Sequence, residues 1–150
     1  MVSSVKVVLV VVAVVAMAAC SGGGGHAARV PAETAPAEIV RMYLAALDAH
    51  DITNAKELLS RSHAEEVDHY ADSWFRNIDS INNISTTESG YPPGAHPPGQ
   101  GYAQTAAVRA EFDLHQKKIG SFSDGPNSWG YILGRNSDSE HWVIISEGNG

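Results

Sequence analysis

The chain has 150 residues, of which 43% are apolar and 18% charged, enough apolar matter for a single folded domain and too little polarity for a wholly disordered chain. Ten Lys and Arg against 17 Asp and Glu give a net charge of −7, which speaks against a nucleic-acid binder, because phosphate neutralisation needs clustered cations. The single cysteine, Cys20, excludes an intramolecular disulfide and any cysteine-built zinc site.

Residues 1–19 carry one early positive charge, Lys6, then the apolar run Val7 to Met17 and the small pair Ala18-Ala19. This is the layout of a secretory signal peptide. As a helix the run would cover roughly 16 Å, about half of a bilayer's hydrocarbon core, so a permanent spanning anchor is the weaker reading. Met17-Ala18-Ala19-Cys20 is similar to the lipobox of bacterial lipoproteins, which are cut before the cysteine and carry a diacylglycerol on its sulfur. The resemblance implies lipidation at Cys20, attachment to the cell membrane and an extracytoplasmic location. An ordinary signal peptide with an incidental cysteine is the alternative. Residues 20–35 hold four consecutive glycines and no core pattern, the composition of a flexible tether. Removing residues 1–19 removes Lys6 and no acid, so no basic lipid-binding patch is left to help the acyl chains.

Residues 36–150 read as the domain. Thr34 is a candidate cap for a first helix with Pro36 in its first turn, and Ile39, Val40, Tyr43, Leu44 and Leu47 share one helical face. Asp51 caps a short second helix with Ile52, Ala55, Leu58 and Leu59 inward. Ser62 and Glu65 have capping-box spacing for a third, whose inner face would be Val67, Tyr70, Ala71, Trp74 and Phe75. His63, Glu66 and His69 then fall on its polar face. Glu66-x-x-His69 is half of a di-iron motif with no second half, so no metal is expected.

After Arg76 the period changes. Ile78, Ile81 and Ile84 lie in a polar stretch that suits an irregular edge strand. The segment 88–101 holds four prolines and four glycines and reads as a loop. Val108, Ala110, Phe112 and Leu114 alternate with Ala107, Arg109, Glu111 and Asp113, a half-buried strand with its acids on the far side from Phe112. Residues 117–127 read as a turn region, 129–135 and 142–146 as the last two strands, and 136–140 as their hairpin loop. Helices first and strands after imply α+β, three helices packed on a mostly antiparallel sheet. The last strands are apolar on both faces, Trp129, Tyr131 and Leu133 against Ile132, and Trp142 and Ile144 against Val143 and Ile145. A homodimer, an envelope protein or the sheet's own curvature would have to cover the second face.

The helix end Leu44 to Asp51, the Asp-capped Ala55 to Leu59, and the closing Trp129-Gly-Tyr-Ile-Leu and His141-Trp-Val-Ile-Ile resemble the cystatin-like cone of the nuclear-transport-factor-two superfamily, in particular its small bacterial lipoproteins without an assigned function. The resemblance implies a curved sheet with a cone-shaped interior. Relatives include isomerases, dehydratases, polyketide cyclases and non-catalytic binders, so fold alone does not choose among them. Tyr43 and Tyr70 are the ionisable inward groups on the helices, and Tyr43, Tyr70, Trp129, Tyr131 and Trp142 are the candidate cavity or interface residues. No nucleophile elbow, phosphate loop or dinucleotide fingerprint is present, and no cofactor is implied. The leading expectation is a lipid-anchored binding or scaffolding protein. The alternative is a small-molecule enzyme using a Tyr or Asp in the cone.

Overall fold

The computed structural model describes residues 30–70 (68–70 as backbone only), 75–90, 101–118 and 123–148. Cys20, the glycine tether, Trp74 and residues 91–100 lie outside the described residues. Three helices come first, α1 (Pro36–Asp48), α2 (Ile52–Glu57) and α3 (Arg61–Tyr70), then a 3-10 turn at Phe75–Asn77 and the strands β1 (Ile78–Ser89), β2 (Gln104–Gln116), β3 (Gly125–Arg135) and β4 (Val143–Gly148). The strands form one antiparallel sheet in sequence order, so the α+β expectation holds.

Helix α1 buries Ile39, Val40, Tyr43, Leu44 and Leu47 on the sheet, the face its periodicity predicts. Its start differs from expectation. Ala35, not Thr34, is the cap residue and no side chain caps it, because Pro36 sets the first helical φ and the Ala35 carbonyl takes the amides of Glu38 and Ile39. Its end is a Schellman turn. His50 is left-handed (φ 56°), its amide bonds Leu47 and the amide of Asp51 bonds Ala46. Asp51 then caps α2, its Oδ1 accepting from the Asn54 amide at 3.1 Å, as predicted.

Leu58 and Leu59 are buried, but beyond α2 and not within it. The Ile144 amide donates to the Leu58 carbonyl (2.8 Å) and the Ser60 amide to the Ile144 carbonyl (2.7 Å), a parallel bridge along the outer edge of β4. The cap of α3 is Ser60, whose Oγ accepts from the His63 amide at 3.2 Å. The predicted cap, Ser62, lies inside the helix, because the bridge to Ile144 starts α3 two residues earlier.

Strand β1 is an edge strand with two bulges, as its broken pattern suggests, and it runs on to Ser89. Its free edge is partly closed by Asp48, whose Oδ1 accepts from the Ile81 amide at 2.7 Å. Strand β2 places Val108, Ala110, Phe112 and Leu114 inward and leaves Arg109 and Glu111 exposed. On β3 and β4, Trp129, Tyr131, Leu133 and Ile144 are buried, while Ile132, Val143 and Ile145 on the other faces are half-buried. Part of the cover comes from the chain itself. The Tyr102 ring lies over Gly134. At the rim of the inner face, the Arg135 guanidinium stacks 4.5 Å from the centre of Trp142, which precedes β4.

Two substitutions test this packing by denaturant unfolding. Phe112, 3% exposed and tilted on Trp129, should cost about 3–5 kcal/mol when replaced by Ala; a loss below about 1 kcal/mol would place it outside the core. A Cβ on Gly134 would meet the Tyr102 ring at 2.5 Å, so Gly134→Ala should cost about 1–3 kcal/mol. In a Tyr102→Ala background that cost should fall below about 0.5 kcal/mol, because the clashing ring is gone.

Candidate functional site

A buried polar cluster sits between the helices and the sheet, built from Tyr43 on α1, His63 on α3 and Glu147 on β4, beside Tyr131 on β3. Each member is placed by a local feature. Tyr43 takes its position from the inner stripe of α1. His63 is the third residue of α3, its amide held by the Ser60 cap. Glu147 owes its inward direction to a bulge. In β3 and β4, Leu133 pairs with Ile144 but Ile132 pairs with Ser146, so Ile145 is an extra residue that reverses which face the following residues point to. Glu147 therefore shares the inner face with Tyr131, its register partner.

The Tyr43 hydroxyl donates to Glu147 Oε1 at 3.2 Å. His63 Nε2 stands 3.7 Å from the same oxygen, an ion-pair distance too long for a hydrogen bond, and its Nδ1 stands 3.6 Å from Oε2 of Glu66. The side chains of His63 and Glu147 are 13% and 12% exposed, and Glu66 is open to solvent. Among the described residues His63 Nε2 and Glu147 Oε2 are buried with no hydrogen-bond partner.

Burial, and then the nearby Glu147 charge, push the phenols of Tyr43 and Tyr131 well above the usual tyrosine range, so both stay neutral and Tyr43 remains a donor. The Glu147 carboxylate draws the His63 pKa up against burial, and Glu66 adds to it. The cluster thus holds a neutral phenol, a carboxylate and a readily protonated imidazole, the parts of an acid–base relay. Tyr43 also touches Phe75 and Tyr131 edge-on, at 6.5 and 6.1 Å between ring centres.

Three surface depressions lie elsewhere. One of about 510 Å³ runs past Val30, Tyr102, Gly134, Arg135 and His141. Another, about 430 Å³, lies between α1 and α2 on Met42, Ala46 and Leu58, and the third, about 360 Å³, on the outer sheet face at Asn83, Glu111 and Asp113. The Tyr43–Glu147–His63 cluster lines none of these. Among the described residues no group of three His, Cys, Asp or Glu could hold a metal, and no helix is long and apolar enough to cross a membrane.

Of the sequence-predicted residues, the structure brings Tyr43 and Tyr131 into the cluster. Trp129 is buried in the core beside Phe112, and Trp142 is buried under Arg135. The Tyr70 side chain lies outside the described residues. His63 overturns its assignment to a solvated face: it stands one helical turn before the buried Val67 and shares that residue's side of α3, which meets β4. Glu147 was missed altogether. Simple alternation from Ile144 sends it outward, and only the bulge reverses that. Asp113 and Glu111 stay on the outer face, Asp113 accepting from Asn83.

No family model matches the chain, and no curated protein does. Among solved structures, it is similar to the solution structure of a SEC-C motif containing protein from Rhodopseudomonas palustris, with a TM-score of 0.47 and 14% identity over 77% of this chain and 78% of that one.

Tyr43→Phe removes the only hydrogen bond of Glu147 within the cluster and should cost about 1–3 kcal/mol, the range for a partly buried bond to a charged acceptor. Glu147→Gln should shrink the cost of Tyr43→Phe to about 1 kcal/mol or less, since the acceptor is then neutral. Urea unfolding of the four-member cycle measures both, and equal costs in the two backgrounds would show that the carboxylate and phenol are not coupled.

Proposed function

We propose that the chain is a bacterial envelope lipoprotein, cut before Cys20 and lipidated on its sulfur, whose cone-like domain (residues 36–150) binds or scaffolds at the extracytoplasmic face of the cell membrane. The observation that carries binding over catalysis is the state of the interior. An enzyme built on a cone needs a hollow with its acid or base on the wall. Here Tyr43, Phe75, Leu114, Tyr131 and Ile144 occupy the space between α1 and the sheet, all of them at most 3% exposed. What is left for function is surface, and the outer sheet face with half-buried Ile132, Val143 and Ile145 is offered to a second copy or to an envelope protein. The acyl chains hold the protein at the membrane, since a diacylglycerol supplies two chains at about 0.8 kcal/mol per buried methylene and a single chain holds only marginally.

One observation favours an isomerase-, dehydratase- or cyclase-like enzyme instead. Glu147 Oε2 and His63 Nε2 are buried polar atoms that lack partners, which core packing does not require. In that reading Tyr43 and Glu147 supply the chemistry, in place of the Asp expected from sequence.

The anchor is tested at the mature N-terminus. Mass spectrometry should find Cys20 as the first residue with lipid mass on it, and the protein should partition into detergent. Cys20→Ala should leave the domain folded, abolish lipidation and move the protein to the aqueous phase. An unmodified Cys20, or cleavage elsewhere with no lipid mass, refutes it.

A further inference from the structure

We propose that His63 is a proton-operated latch on helix α3: with its proton it holds the first turn of α3 against β4 through Glu147, and without it that turn lifts and opens the Tyr43–Glu147 pair. The inference goes beyond the binding role and does not depend on the lipid. It starts from how little else holds α3. Arg61, Ser62, Glu65 and Glu66 face solvent, and among its described side chains only Val67 is buried. Among the described side chains the helix is therefore held by Val67, by the partly buried Ala64 packed against the core, and by whatever His63 contributes, beside the backbone bridge from Leu58 and Ser60 to Ile144 just before it. That bridge stays closed when the turn lifts and serves as its hinge.

The charge state decides the contribution of His63. Among the described residues Glu147 accepts from the Tyr43 hydroxyl alone, and its Oε2 is buried with no donor. A buried carboxylate so poorly hydrogen-bonded is costly unless a counter-charge stands beside it. The imidazolium, 3.7 Å away, is that charge. Neutral imidazole withdraws it, and hydrating Oε2 then requires water to enter from the α3 side. Among the described residues the titratable groups around His63 are Glu66 on its own helix, Glu147 on β4, and the phenols of Tyr43 on α1 and Tyr131 on β3, which stay neutral. The two carboxylates favour the proton and outweigh burial, raising the pKa of His63. A histidine raised on folding stabilises the fold fully below its unfolded pKa, about 6.5, and loses that stabilisation as the pH climbs through the raised value. The latch is closed in mild acid and open in mild alkali.

Hydrogen exchange on the full chain reads the latch directly. After correction for intrinsic chemistry, amides of 61–70 should exchange about three- to tenfold faster at pH 8.0 than at pH 5.5, as a segment that opens locally does. Residues 108–114 of β2 serve as the internal reference and should change little. In His63→Gln the 61–70 segment should exchange at the wild-type pH 8.0 rate at both pH values. Equal corrected rates in the wild type, or a pH ratio that survives in His63→Gln, overturns the proposal. A second measurement covers poor folding of that variant. The NMR titration midpoint of His63 should fall in Glu147→Gln to the ordinary histidine range or below, and an unchanged midpoint likewise overturns the latch.

Discussion

Two backbone hydrogen bonds, between the Leu58–Ser60 segment and Ile144, join the helical half of the chain to its last strand. They bridge residues more than 80 positions apart, and much of the architecture follows from them. They close the outer edge of β4, which would otherwise offer unpaired amides to another chain. They fix Ser60 as the cap residue from which α3 starts. Sequence-local features serve the same junction. The Schellman turn at His50 and the Asp51 cap join α1 to α2 with almost no loop, which delivers Leu58 to β4 at the right height.

Around this junction the interior divides into two kinds of packing. Toward β1 and β2 it is apolar, with Ile78, Ile81, Phe112 and Leu114 in the same buried cluster as the inner stripe of α1. Toward β4 it admits a carboxylate, a histidine and two phenols. A core of this size gains nothing in stability from a buried, half-satisfied carboxylate, and an apolar residue of similar volume there would often be neutral or better. The neutral phenol of Tyr43 and the raised His63 offset part of the penalty.

The sheet's outer surfaces are handled differently at each edge. Strand β1 carries two bulges, polar side chains and the Asp48 bond to Ile81, all of which blunt an exposed edge. Strand β4 is covered by the backbone bridge. Between them, Tyr102 packs over Gly134, where the absence of a Cβ lets the ring approach. Ile132, Val143 and Ile145 remain half-buried, which makes the outer face less open than alternating hydrophobicity alone implies.

The sequence by itself determined what local periodicity can encode. The inner stripe of α1, the Asp51 cap, the alternation of β2 around Phe112 and the order of helices before strands were all legible, because each rests on residues a few positions apart. The candidate site was half legible. Tyr43 could be placed inward from its helix, and Tyr131 from its strand. His63 could be placed by phase as well, since it lies four residues before Val67 on the same helical face, although its residue type pointed to solvent; Glu147 could not, because it depends on a one-residue displacement set by strand pairing. The bridge to Ile144 moved the start of α3 from Ser62 to Ser60, and the extra residue at Ile145 reversed the faces of β4. In a strand with period two a one-residue displacement exchanges inside for outside, and only the tertiary pairing decides it.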